Sequence, residues 1–423
     1  MLTPARSKRK PVMRPSMSDT PVPSRAAFGF IFVSAVTTAL SFGLMIPILP
    51  ALVKSFTGGD TASASEWNVL FSTLGGLMSL FAGPVLGLVS DRVGRRPVLL
   101  ISLCGLGLDF LLMAFAPNLM WLLVGRLISG ATSGAFSTAN AYVADITAPE
   151  DRARAFGWMG SAFSFGFLAG PAMGGLLGEI DLRLPFLAAA GLTLANVIYG
   201  LFVLPESLPV ERRVARFDWK KANPLGSLTL LRSHHELFGL SGIHFLNQLA
   251  QGVWPSVFVL YTGLRYGWTP MTTGLNMMVG GAMGIMVQSF LVGPVVRNFG
   301  ERGALLMGAG AGAIAMAWYG FAGTTWMWLI AMPISSLSGL MAPGLQGLMT
   351  RRVGPTEQGQ LQGANQALMG LASVIGPSLF GLSFAWTVRN QGPLGLPLFL
   401  AAIAMGLGLV LALRVAPKSS SST

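Results

Sequence analysis

Residues 87–97 read Gly87-Leu88-Val89-Ser90-Asp91-Arg92-Val93-Gly94-Arg95-Arg96-Pro97, a polar, doubly basic break between two apolar runs. A stretch this short buries nothing, so it is expected to be a tight turn joining two helices that cross a bilayer. Arg concentrated in such a turn places it on the cytoplasmic side, and the neighbouring spans are oriented accordingly.

Composition agrees. Of 423 residues, 52% are hydrophobic and only 10% charged, against about a quarter charged in soluble domains. That is too little charge to coat a water-exposed surface, which argues against a soluble enzyme. The 54 glycines and 22 methionines suit close helix packing in lipid. The net charge of +12 lies in short loops between apolar runs, without the stripe that a nucleic-acid surface needs, so no nucleic-acid partner is expected. A single cysteine, Cys104, provides neither an internal disulfide nor a cysteine metal cluster. No cofactor, metal site or P-loop is expected, and hence no ATP-driven transport by this chain alone.

A helix needs about 20 apolar residues to cross the hydrocarbon core. Twelve such runs are expected, at 27–52, 67–89, 97–116, 119–143, 153–178, 185–204, 237–262, 271–296, 302–322, 326–349, 358–384 and 394–414, giving an all-α membrane protein. With the N-terminus inside, 23 Lys and Arg fall on the cytoplasmic side and four (Lys54, Arg183, Arg265 and Arg389) on the other. Both termini are therefore expected in the cytoplasm. Residues 1–26 read as a disordered cytoplasmic tail and 416–423 as a second. The six spans of 27–204 form one bundle and those of 237–415 another. The basic segment 205–236 joins them, with room for a short amphipathic helix on the membrane surface.

An offset of 206 residues superposes the halves: Gly94 falls on Gly300, Pro149 on Pro355, and Gly170-Pro171 on Gly376-Pro377. Parallel repeats of this kind belong to transporters whose substrate sits between two bundles near the membrane midplane.

At this point a family resemblance becomes specific. Residues 87–97 closely resemble the loop signature of the major facilitator superfamily, with a degenerate copy at 293–302. Gly125-Arg126-Leu127-Ile128-Ser129-Gly130 resembles the Arg-containing motif of its proton-coupled members. Gly166-Phe167-Leu168-Ala169-Gly170-Pro171-Ala172-Met173-Gly174-Gly175 resembles the motif of drug/proton antiporters. Phe156-Gly157-Trp158, Leu204-Pro205-Glu206-Ser207 and Tyr266-Gly267-Trp268 extend the likeness to the tetracycline exporters over nearly the whole chain after residue 27. The resemblance implies the major facilitator fold, with 12 transmembrane helices in two pseudo-symmetric six-helix bundles, in a bacterial-type inner membrane.

It also implies roles. Gly87, Asp91, Arg92, Gly94, Arg95 and Arg96, extended by Asp145 and Arg152, would form a cytoplasmic gate that closes and reopens in each cycle; the same charges would also serve simply to set topology. Gly166, Gly170, Pro171, Gly174 and Gly175 would form a smooth, bendable face, whether for rocking of the bundles or for plain packing. Asp109 lies inside the third span, where a charged acid is expensive and functional by default. It is expected to face a cavity and to carry the coupling proton, with Arg126, a basic residue inside a span, beside it. Asn140, His244, Gln248, Gln251, Trp254, Phe258, Gln288, Asn365 and Gln366 are the candidates for a substrate cavity, since neutral polar groups with aromatic walls suit amphiphilic ligands. They are equally suited to holding helices together.

The chain departs from the tetracycline pattern. Thr38 stands in the first span where those exporters carry an acid, Gly284 where they carry a His, and Gly312 near their ninth-span Asp. The reading is a proton-coupled antiporter exporting small amphiphilic organic compounds, working as a monomer, with substrate, protons and the bilayer as its partners. The alternatives are a proton-coupled uptake symporter and a non-transporting membrane sensor on the same scaffold.

Overall fold

The computed structural model describes residues 25–148, 150–214, 235–354 and 357–415. The two expected tails, most of the 205–236 connection and the Pro149/Pro355 landmark lie outside the described residues.

Among these residues the chain is helical, without strands. In the first half the helices are α1 (Arg25–Met45), α2 (Leu49–Phe56), α3 (Thr61–Val93), α4 (Arg95–Phe115), α5 (Leu119–Ala131), α6 (Ala135–Ile146), α7 (Arg152–Ile180) and α8 (Leu184–Val203). The second half has α9 (His235–Gln251), α10 (Val253–Tyr266), α11 (Pro270–Met286), α12 (Val292–Phe321), α13 (Thr325–Ser336), α14 (Met341–Thr350), α15 (Gln358–Arg389) and α16 (Leu396–Val415). A π turn at Val287–Leu291 joins α11 to α12. Local chemistry sets several of these starts. Asp60 caps α3, its carboxylate accepting from the amides of Ala62 and Ser63 at 3.1 Å each, and Asn118 caps α5 in the same way.

Among the described residues ten helices are long and apolar enough to cross a membrane, against the expected twelve. The difference arises in two places. Pro270–Phe321 runs as one 52-residue helix, although Gly300 breaks it with φ 71° and ψ 174°. The segment from His235 to Tyr266 is interrupted at Gly252, leaving helices of 17 and 14 residues. Large apolar side chains face outward all round, with Phe202 at 85% and Trp326 at 75% exposure. A water-soluble monomer does not carry such a surface; lipid accommodates it.

The basic turn is tighter than expected. Helix α3 continues through Val93 and α4 begins at Arg95, so Gly94 alone makes the turn, with φ 113° and ψ 159°. Only glycine takes that backbone without strain. The 206-residue offset recurs in these irregularities. Gly94 and Gly300 both turn at positive φ. The α1–α2 break at 46–48 falls on the α9–α10 break at Gly252, and the α5–α6 break at 132–134 on the 3-10 turn Leu337–Leu340. Pro171 and Pro377 lie inside the paired helices α7 and α15.

One apolar cluster runs through both halves, and a second, around Phe30, Leu99, Leu103 and Tyr142, belongs to the first half. The halves meet chiefly where α3 packs on α15 and α7 on α11. Near the Thr61 end of α3, Ser65 Oγ donates to the Gly381 carbonyl at 2.8 Å and Arg389 Nη2 bonds Glu66 Oε2 at 2.8 Å. On the other seam the Met271 amide donates to Glu179 Oε1 at 3.3 Å. Further along α3, Thr73 Oγ1 and Ser378 Oγ lie 3.3 Å apart; the other bonds named between the halves gather at one end of the molecule.

Candidate functional site

Three of the helix interruptions surround or approach a cavity of about 570 Å³. Its walls come from α1 to α7, with Pro255 of α10 the sole contribution from the second half among the described residues. Interrupted helices expose backbone, which in a membrane is tolerated where it lines a cavity. The lining is aromatic on one side, where Phe136 and Phe163 lie edge-on with centroids 4.6 Å apart and Phe167 stacks beyond at 6.2 Å. Ser102, Arg126, Ser129, Thr132 and Ser133 are the polar lining residues from α4 to the α5–α6 break.

Arg126 lines this cavity, and its Nη2 is ion-paired with Asp109 Oδ2. The Asp109 side chain is fully buried on α4 and the Arg126 side chain 13% exposed on α5. Gly125 makes the approach possible, because a Cβ there would lie 2.6 Å from Asp109 Oδ1. Arg126 Nη2 also reaches Met113 Sδ at 3.4 Å. Neither Asp109 Oδ1 nor Arg126 Nε has a partner at hydrogen-bonding geometry. The expectation that Asp109 faces a cavity is therefore corrected: the carboxylate sits one layer behind the wall, and Arg126 is the layer between.

A charged cluster closes over the Val93 end of the first half. Arg95 pairs with Asp91 at 2.6 Å and Asp145 at 3.1 Å, and donates to Ser90 Oγ at 2.6 Å. Glu206 was not among the expected site residues, yet it is the hub. Its carboxylate accepts from the amides of Arg95 at 2.7 Å, Arg96 at 3.3 Å and Leu208 at 3.1 Å, and Arg213 lies 3.8 Å away. This places an anion at the N-terminus of α4, where the helix dipole favours it. A Cβ on Gly94 would come within 2.2 Å of that carboxylate. Tyr142 donates to the Pro205 carbonyl at 2.9 Å, Ser207 to Asp145 at 3.2 Å and the Val214 amide to the Asp91 carbonyl at 3.0 Å.

The sequence profile of the Major Facilitator Superfamily matches residues 31–377. The chain belongs to the major facilitator superfamily. It is similar to the class C tetracycline resistance protein of Escherichia coli, 38% identical over 86% of this chain and 90% of that one. To the class H protein of Pasteurella multocida it is 31% identical, over 93% of this chain and 98% of the other. The crystal structure of the nucleoside transporter NupG shares the fold with a TM-score of 0.72 at 14% identity, covering 92% of this chain and 98% of that one. As a major facilitator protein, the chain is a membrane-embedded secondary transporter of small molecules and not an enzyme.

Seen on this transporter, the gate residues divide. Gly94, Asp91, Arg95 and Asp145 meet in the cluster above. Arg96 joins it through its amide, while its side chain donates to the Leu201 carbonyl at 2.6 Å. Gly87 has open space around it and Arg92 is exposed. Arg152 is a correction, since it donates to the Ala144 carbonyl at 3.0 Å and the Thr147 carbonyl at 3.4 Å, satisfying the end of α6 instead of extending the ion pairs. The bonds named in this cluster join parts of the first half to one another and to residues 205–214 of the connection.

The glycine motif also divides, by face. Gly166, Gly170 and Gly174 lie against α1; a Cβ would sit 2.5 Å from Ala39 Cβ, 2.6 Å from Gly43 Cα and 2.3 Å from the Leu44 carbonyl oxygen, respectively. Gly175 points across the seam, 2.6 Å from the Pro270 carbonyl by the same measure, and the Pro171 carbonyl abuts Gly274.

Of the expected cavity residues, Asn140, His244, Gln248, Gln251, Trp254, Phe258, Gln288, Asn365 and Gln366 are not among those that line this cavity. Trp254 and Phe258 pack into an aromatic cluster with Tyr261, Tyr319 and Trp328 in the second half. Asn365 is buried, donating to Gln346 at 3.4 Å, whereas Gln288 and Gln366 are exposed. The internal repeat carried the missing signal. Shifted by 206 residues, His244, Gln248 and Gln251 fall on Thr38, Phe42 and Met45, all three in the cavity wall.

Proposed function

We propose that this protein is a proton-coupled exporter of small amphiphilic organic compounds, with drug-like aromatic molecules as its substrates. It works as a monomer with twelve crossings, both termini in the cytoplasm, in a bacterial-type inner membrane. The two bundles expose the cavity alternately to either side. Bonding at the Thr61 end supports reading the present arrangement as closed to the outside.

The observation that carries the coupling is the Asp109–Arg126 pair, with Arg126 facing the cavity and Asp109 sealed behind it. In the inward-facing state Asp109 is ionised and holds the guanidinium in the wall. A proton taken up from the outside neutralises Asp109 and releases Arg126, so that proton and cavity compete through one side chain. A proton crossing the field gains about 2.3 kcal/mol per 100 mV, enough for a substantial outward concentration ratio. The names of the relatives support an exported drug, and the likeness to them places tetracycline on the panel to be tested.

The test is a pH-gradient-driven accumulation assay in inverted vesicles, with tetracycline and other aromatic antibacterials. Wild type is expected to accumulate at least one compound and to dissipate the gradient when it is added. Asp109→Asn is expected to do neither. Gradient dissipation by Asp109→Asn equal to wild type would refute the assignment.

A further inference from the structure

The wall of the cavity specifies the chemistry of its occupant, on the transport reading above. Ser102 Oγ is buried, its residue 1% exposed, and it has no hydrogen-bond partner. Ser133 Oγ and Arg126 Nε, of two further lining residues, are buried and unpartnered as well. Their neighbours are already satisfied: Thr132 donates to the Ile128 carbonyl at 2.8 Å and Asn68 to the Ala64 carbonyl at 2.9 Å. A guanidinium can only donate, and a hydroxyl has one proton to give. Three donors are therefore unused, beside the lone pairs of the two hydroxyls, and acceptor oxygens or nitrogens on a ligand would satisfy all three.

Charge narrows the class further. Arg126 is the one charged side chain among the lining residues, and Asp109 neutralises it from behind. A ligand with net charge would leave water for a wall with no compensating charge, which is unfavourable. Among the described residues no acid or histidine lines the cavity, so a divalent cation carried in with the ligand would meet no carboxylate or imidazole to hold it. The aromatic run of Phe136, Phe163 and Phe167 suits a flat ring system, and the volume is that of a site for a drug-sized molecule.

We propose that the cavity binds an electroneutral aromatic compound bearing carbonyl or phenolic oxygens, without a metal ion, with Ser102, Ser133 and the free edge of Arg126 as its hydrogen-bond donors. Ser102 is thereby a specificity-determining residue of the transporter.

Three fluorescent tricyclic probes of matched size test this in the purified full chain in lipid nanodiscs: neutral acridone, cationic 9-aminoacridine and anionic acridine-9-carboxylate. Equilibrium binding is measured with no proton gradient, with magnesium or with EDTA, so the outcome is separate from that of the coupling assay. Acridone is expected to bind most tightly, equally with and without magnesium. Ser102→Ala is expected to weaken it by about threefold to tenfold, the worth of one hydrogen bond, and Ser133→Ala gives a second, independent reading. Tighter binding of 9-aminoacridine, a gain with magnesium, indifference to both serine substitutions, or no binding of acridone would each overturn the proposal. None of these results would touch the coupling role of Asp109.

Discussion

Removing the Glu66–Arg389 pair should loosen the end of the transporter at which the halves are bonded. The pair joins α3 to α15 through two parallel contacts, one of them Nη2 to Oε2 at 2.8 Å, with side chains 52% and 36% exposed. Exposed pairs contribute about 0.2–1 kcal/mol, and the two-pronged arginine geometry places this one in the upper half of that range. The contact exists only while these ends are together, so its loss is felt entirely in the balance between closed and open states. A change of about 0.5–1 kcal/mol corresponds to a twofold to fivefold shift in that balance. The assay is a spin-label distance distribution between Met120→Cys and Trp326→Cys, both well exposed, with Cys104→Ser as background. Glu66→Gln or Arg389→Gln should raise the longer-distance population by that factor at low ionic strength and by less in high salt. The exchange Glu66→Arg with Arg389→Glu should restore it. An unchanged distribution in both single variants, or an exchange variant that behaves like them, would refute the reasoning.

Other outcomes follow from the glycine faces, the Glu206 hub and the α3 cap. Gly174→Ala should lower thermal stability by about 1–3 kcal/mol, because the new methyl meets the Leu44 backbone, whereas Gly160→Ala on the same helix, with open space around it, should not. Gly175→Ala should instead shift the spin-label distances toward the open state, since its obstruction lies across the seam on Pro270. Glu206→Gln should cost about 0.5–2 kcal/mol, as loss of a helix-capping carboxylate does, and speed hydrogen exchange at the Arg95 and Arg96 amides; unchanged exchange would count against the hub. Hydrogen bonds from Ser63 hold the Asp60 carboxyl below its ordinary range. A lowered folded value means that the cap's contribution is present at neutral pH and is lost as pH falls through that lowered value. Exchange at the start of α3 should therefore rise in acid in the wild type, and be raised already at neutral pH in Asp60→Ala.

The repeat was legible because glycines and prolines mark backbone that other residues avoid. Gly94 and Gly300, read as equivalent, both turn at positive φ. Asp109 and Arg126 were legible because an ion inside a span needs a counter-charge, and each proved to be the other's. Glu206 was not: it lies 111 residues from Arg95, and no local pattern links an acid after α8 to the start of α4. The cavity between α1 and α7 was not anticipated because polarity was taken as the mark of one. The polar face of His244, Gln248 and Gln251 drew attention to the second half, whereas the wall of the 570 Å³ cavity holds serine, glycine and phenylalanine of the first. Such residues look in sequence like any membrane helix. The breaks at 46–48 and 132–134, each only three residues long, are too brief to interrupt an apolar run.

The claim on which the account rests is that one carboxyl group, that of Asp109, gains and loses a proton in step with occupancy of the cavity. Infrared difference spectroscopy of the full chain in lipid, with Asp109→Asn as reference, observes that group directly. With acridone added at a pH where part of the protein is protonated, the account predicts loss of a protonated-carboxyl band in the wild type and no such change in Asp109→Asn. A carboxyl band that is indifferent to acridone, or one of equal size in Asp109→Asn, would contradict it.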